Sequence, residues 1–88
     1  MAELRGLIVT DEFLRSYGDR RFTASDKAAV VKALGLLSEN SRHPSLRLHA
    51  LQGDLRPWWS ISATDSLRVL VMPVDDKYVV GPVSKHYR

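Results

Sequence analysis

The sequence predicts an α+β fold: two N-terminal helices packed on one face of an antiparallel sheet of about four strands, in the order β-α-α-β-β-β. Three observations carry the prediction. Apolar residues recur at helical spacing between positions 10 and 40. After His43-Pro44 the period shortens to two, the signature of strands with one face buried. The connections between those later segments are short, which forces neighbouring strands to run antiparallel.

Each element has its own local signal. Residues 4–9 read as a short first strand. Thr10-Asp11 offers a helix N-cap, and Glu12 suits the positive helix end. Phe13, Leu14 and Tyr17 share one face of that helix, and Gly18 is its stop. Thr23-Ala24-Ser25-Asp26 reads as a capping box opening a longer helix. Val30, Ala33, Leu34 and Leu37 form its apolar stripe, leaving Lys27, Lys32 and Glu39 to water. Gly35 costs that helix about 1 kcal/mol relative to alanine, so some other demand must favour a small residue there. The helix should end near Asn40, because Pro44 biases His43 towards extended backbone.

Beyond Pro44, Leu46, Leu48 and Ala50 alternate with Arg47 and His49 as in a half-buried strand. Gly53-Asp54 marks a turn, and Pro57 a second turn or an edge position. Residues 58–63 and 67–74 are the next strands, and Asp75-Asp76 turns the chain into a last one over 78–83. Trp58 and Trp59 then point to opposite faces, one towards the core. Helices on one side leave the other side of the sheet for polar work, and Arg47 and His49 alternate towards it.

Composition narrows the function. A chain of 88 residues makes one small domain, expected here to span 1–88. Its 44% hydrophobic and 26% charged residues are an ordinary globular balance. The absence of cysteine excludes disulfides, thiolate metal sites and cysteine nucleophiles. No apolar run approaches the ~20 residues of a membrane span, and the N-terminus lacks a signal-like block, so a cytoplasmic protein is expected. Thirteen basic against ten acidic residues give a formal charge of +3. The excess lies slightly in the second half, with six bases against four acids, compared with seven against six in the first. Such a balance permits nucleic-acid binding without requiring it.

No phosphate loop, dinucleotide fingerprint, zinc-binding His-Glu pair or nucleophile elbow is present. His43, His49 and His86 lack metal-ligand spacing, so neither a metal nor another cofactor is expected. What remains is His49, Arg68 and His86, each on a different predicted strand or at its end. Arg68 interrupts the apolar run Leu67 to Val71, where a guanidinium needs a reason. Each has a plain reading: an arginine on a solvent face, an exposed strand histidine, a histidine in a frayed tail. Together they make a recognisable machine. Imidazoles titrate near neutral pH, so one can accept a proton while another donates one. An arginine between them holds a phosphate and offsets charge on a pentacoordinate transition state. That chemistry suits RNA cleavage by a ribose 2′-OH.

Leu55-Arg56-Pro57-Trp58-Trp59-Ser60, then Thr64, Arg68, Asp75-Asp76 and His86-Tyr87, resembles the RelE superfamily of bacterial toxins, most closely its YoeB branch. Upstream, the run from His43 to Gly53 contains His49 followed by Ala-Leu-Gln-Gly, similar to a histidine motif of YafQ-like toxins. The resemblance covers about half the chain. It implies the RelE-like fold and the toxin of a type II toxin–antitoxin pair, a metal-independent endoribonuclease that cleaves mRNA in the ribosomal A site. It implies His86 as general acid, Arg68 as the group that stabilises the scissile phosphate, and Tyr87 as the aromatic that orients the substrate. His49 falls where YoeB-like toxins place a glutamate base and YafQ-like toxins a histidine, and is carried over as general base. Arg47, Arg56, Lys85 and Arg88 are candidate RNA contacts. The implied partners are a cognate antitoxin, the 70S ribosome and mRNA, with no membrane.

The sequence departs from the family pattern at several places. Pro57 replaces the glycine common before the aromatic pair, Val71 replaces a tyrosine, and the catalytic lysines of RelE proper have no counterpart near Trp59 and Ile61. Two rival readings share the fold: a ParE-like toxin that binds gyrase and needs no acid–base pair, and a relative that binds RNA or antitoxin without cleaving.

Overall fold

The computed structural model describes residues 2–85 and has the expected α+β organisation, with α1 lying against β6 and α2 against β5. The start of the chain holds two strands where one was expected. β1 (Ala2–Leu4) and β2 (Leu7–Val9) form a hairpin closed by Arg5 and Gly6, whose φ angles are +52° and +82°. Two successive left-handed residues make the tight turn that matches strand twist, and glycine adopts that conformation without strain.

Both helices start and stop where their caps lie in the sequence. In α1 (Asp11–Tyr17) the Thr10 hydroxyl accepts the Phe13 N–H and donates to the Val80 carbonyl at 2.7 Å. In α2 (Ala24–Glu39) the capping box is complete: Thr23 accepts the Asp26 N–H, and the Asp26 carboxylate accepts the Thr23 N–H, each at 3.0 Å. Asn40 caps the far end.

The strand expected over 46–50 is cut short. Pro44 has no N–H and a fixed φ, so it starts a 3₁₀ turn, Pro44–Leu46, rather than a ladder. The His43 ring accepts the Ser45 N–H through Nδ1, and Arg47 follows at φ +49°. Extended backbone resumes only in β3 (His49–Ala50). Leu46 nevertheless points into the core, almost fully buried. A second 3₁₀ turn, Gly53–Leu55, leads to β4 (Trp59–Ser62), β5 (Leu67–Val74) and β6 (Lys77–Lys85).

The six strands lie in the order β1-β2-β6-β5-β4-β3. The sheet is mixed: β2 runs parallel to β6, while every other pair is antiparallel. Short hairpins dictate direction among β3 to β6. No such constraint binds β2, which reaches β6 only after both helices and three strands have intervened.

The core lies between the helices and one face of the sheet. Leu67, Val69 and Val71 of β5 are completely buried there, with Ile61 and Val80 beside them and Val30, Ala33 and Leu37 above from α2. Pairing of β5 with β6 shifts between Val69↔Val83 and Val71↔Val80, so Gly81 and Pro82 together stand opposite Leu70. This bulge keeps both Val80 and Val83 on the core face although they are an odd three positions apart.

Gly35 corrects the sequence reading. A methyl group there would meet nothing within 4 Å, so no neighbour demands a small side chain. Gly35→Ala should therefore stabilise the protein by about 1 kcal/mol through helix propensity alone. Chemical denaturation checks this, and a destabilised variant would reveal crowding that the structure does not contain.

Candidate active site

The alternation that buries Leu67, Val69 and Val71 turns Arg68 to the opposite, helix-free face of the sheet. Arg68 pairs with Ser62 on β4 and with Ser84 on β6. Its guanidinium is half-buried and donates to the Ser62 hydroxyl, so the charge is positioned rather than freely solvated. Ser60, two residues along the same face of β4, pairs with His49 on β3. His49 and Arg68 thus share a face. They are separated by two strand spacings and one step of two residues, about 12 Å between Cα atoms.

His49 is exposed, and its Nδ1 lies 2.7 Å from the Arg47 carbonyl oxygen. A carbonyl only accepts, so Nδ1 carries the hydrogen, and in the neutral ring Nε2 presents its lone pair. His43 has the opposite arrangement. Its Nδ1 accepts from the backbone of Ser45, which makes it part of the turn.

Ser60 and Ser62 were not singled out from the sequence. The signal was there: Ser60-Ile61-Ser62 alternates polar with apolar, and both serines share the parity that meets Arg68 and His49. Trp58 also belongs to this region. Trp59 pairs with Val71 and packs against the core, while the Trp58 ring rests on Gly81. The two indoles therefore take opposite faces, as alternation requires.

The remaining candidates are dispersed. Arg47 and Arg56 are exposed, with Arg47 3.9 Å from Asp65. Lys85 lies apart from the Arg68 face. It pairs with Leu67 at the end of the ladder and turns towards the helices, where Nζ sits 3.0 Å from Asp26 Oδ2 and 5.9 Å from the centre of the Phe22 ring. Hydrogen bonds from the Thr23 N–H and then from Lys85 hold the Asp26 carboxyl below the usual carboxylate range. Its contribution to stability is full above that range and is lost as pH falls through the lowered value. His86, Tyr87 and Arg88 lie outside the described residues. Among the described residues no group of three His, Asp or Glu side chains could hold a metal ion, and no helix is long and apolar enough to cross a membrane.

The contact between Trp58 and Gly81 is testable. An alanine Cβ at position 81 would stand 2.7 Å from two atoms at the far edge of the Trp58 ring and 3.3 Å from the Leu70 carbonyl oxygen. Gly81→Ala should displace the ring, at a cost of about 1 kcal/mol. The Trp58 indole N–H signal in an NMR spectrum should shift. An unmoved signal would mean that the ring is not seated on β6.

No family model matches the chain, and no curated protein matches it in sequence. Solved structures do match its shape. A YoeB/ParE toxin from Agrobacterium tumefaciens superimposes with a TM-score of 0.71 at 18% identity, covering 92% of this chain and 98% of that one. YoeB in its complex with YefM from Staphylococcus aureus gives 0.72 at 14% identity, covering 98% and 100%. YafQ from Escherichia coli gives 0.74 at 13% identity, covering 94% of each chain. At these identities the likeness speaks for architecture: this chain has the RelE-like toxin fold.

Proposed function

We propose that the chain is the toxin of a type II toxin–antitoxin pair, a cytoplasmic endoribonuclease that cleaves mRNA in the ribosomal A site without a metal. One observation supports this above the others. His49, with its Nδ1 hydrogen committed to a carbonyl, shares a helix-free sheet face with Arg68, held by Ser62. Neighbours of the same fold include the toxin of a DinJ–YafQ toxin–antitoxin complex.

In the proposed reaction His49 Nε2 takes the proton of a ribose 2′-OH, and O2′ attacks the adjacent phosphorus. Arg68 offsets the charge that gathers on the non-bridging oxygens. His86 gives a proton to O5′ as the P–O5′ bond breaks, leaving a 2′,3′-cyclic phosphate and a 5′-hydroxyl. Tyr87 orients the substrate, and Arg47, Arg56 and Arg88 meet backbone phosphates. A cognate antitoxin would neutralise the toxin until it is released.

Primer extension on mRNA in translating ribosomes tests this, with wild type and His86→Ala compared. Discrete A-site cuts should appear with wild type and vanish in the variant. Cuts that persist would move the general acid elsewhere. No cuts by a folded wild type would favour the gyrase-binding reading, in keeping with a structural neighbour that bears both the YoeB and ParE names.

Arg68→Lys tests the phosphate contact separately. An ammonium cannot bond Ser62 and also present a planar fork to two phosphate oxygens. Single-turnover cleavage should fall about a hundredfold or more. Full activity would remove Arg68 from the transition state.

A further inference from the structure

A cleft of about 290 Å³ opens beside β3, the edge strand, where the chain has left α2 and rounds the 3₁₀ turn. Every ionisable side chain that lines it is basic: Arg42, His43 and Arg47. The Arg42 backbone N–H donates to Asn40 Oδ1, and among the described residues no carboxylate lies within 4 Å of its guanidinium. Arg47 has only Asp65, 3.9 Å away, and both side chains are exposed. A pair so loose exchanges readily for a stronger anion. The His43 ring is fixed because Nδ1 accepts the Ser45 N–H at 3.2 Å, so in the neutral ring its remaining donor is Nε2–H.

Arg47 belongs to two neighbourhoods at once. Its side chain lines the cleft, while its carbonyl oxygen lies 2.7 Å from His49 Nδ1. The cleft is therefore joined through one residue to the histidine that shares a sheet face with Arg68. Arg47 and His49 are two residues apart, at most about 7 Å along the chain.

We infer that this cleft binds a backbone phosphate of the RNA strand that passes Arg68, with Arg42 and Arg47 supplying the charge and His43 a neutral donor. The inference rests on the cleavage reading above for the path of the strand. A single-stranded backbone carries phosphates at a regular repeat, so one can sit in the cleft while another sits at Arg68. Guanidinium forks match two phosphate oxygens at a time. An acidic protein would meet the same charges, but the continuity of the cleft with the His49 and Arg68 face favours RNA. Arg42 and His43, with no part in the cleavage step, thus become contacts that set where the strand lies.

The test is binding of a fully 2′-O-methylated oligouridylate, which keeps every phosphate and lacks the attacking hydroxyl. Fluorescence anisotropy at low salt should show affinity falling about tenfold in Arg42→Ala and in Arg47→Ala. Each should also reduce the slope of log affinity against log salt by about 0.7. Arg15→Ala removes an equal charge from α1 and should change neither quantity. As the probe saturates the wild-type protein, the ring-proton signals of His43 should shift. Unchanged affinity in Arg42→Ala, an equal loss in Arg15→Ala, or a still His43 ring at saturation would overturn the cleft as a site. Wild type that does not bind the probe would do the same. Tighter, Arg42-dependent binding of an oligoglutamate of equal length would overturn RNA as the occupant in favour of an acidic protein. A loss in Arg42→Ala seen only with 70S ribosomes would assign the phosphate to ribosomal RNA and overturn the path of the substrate strand. No outcome here depends on cutting, so the cleft can fail while the nuclease reading stands.

Discussion

The sheet has one dry side, and most of the structure follows from that constraint. Leu67, Val69, Val71, Ile61 and Val80 are excluded from water because α1 and α2 cover the face they share. In a strand with a strict period of two, burying those residues fixes the opposite direction for every neighbour. Arg68 is therefore held on the uncovered face by the hydrophobic residues beside it, before any polar contact acts. Moving it inward would bury a guanidinium among valines, at a cost far above what Ser62 could return.

The same constraint explains why the helices are tied so closely to β6. That strand is central, bonded to a parallel neighbour on one side and an antiparallel one on the other. β2 has only three residues, so the N–H and C=O groups of β6 beyond it need other partners. Thr10 meets the Val80 carbonyl and Ser16 meets the Val83 N–H. Both are small hydroxyl residues at one end or on the inner side of α1. In Thr10 one side chain thus serves both helix capping and sheet completion.

Much of this was legible in the sequence where the cause is local. Thr10, Thr23 and Asp26 cap helices as their positions announce, and β5 spans the residues its alternation marks. The outward turn of Arg68 follows from the apolar residues on either side. The failures arise where a local preference met a longer-range or competing contact. The 46–50 strand lost to Pro44, which starts a 3₁₀ turn that the His43 ring caps by accepting the Ser45 N–H. The parallel pairing of β2 with β6 has no local signature, because it joins segments about 70 residues apart. The contact between Lys85, a candidate RNA contact, and Asp26 likewise has no local signature, since 59 residues separate the two. Of the candidate site, the shared face of His49 and Arg68 was foreseeable from period and order, but the serines between them carry no chemical signature of their own.

The bulge at Gly81-Pro82 sets the phase of the rest of β6. Before it, even-numbered residues of β6 face the helices, as Tyr78 and Val80 do; after it, odd-numbered ones do, as Val83 and Lys85 do. Two unpromising strand residues thus act as a parity switch. Losing or gaining one residue there would exchange inside for outside over the rest of β6, setting Ser84 towards the helices and Lys85 beside Arg68. A change of two residues would preserve the phase. Related chains should therefore vary in length at this point by even steps, or carry a compensating irregularity in β5.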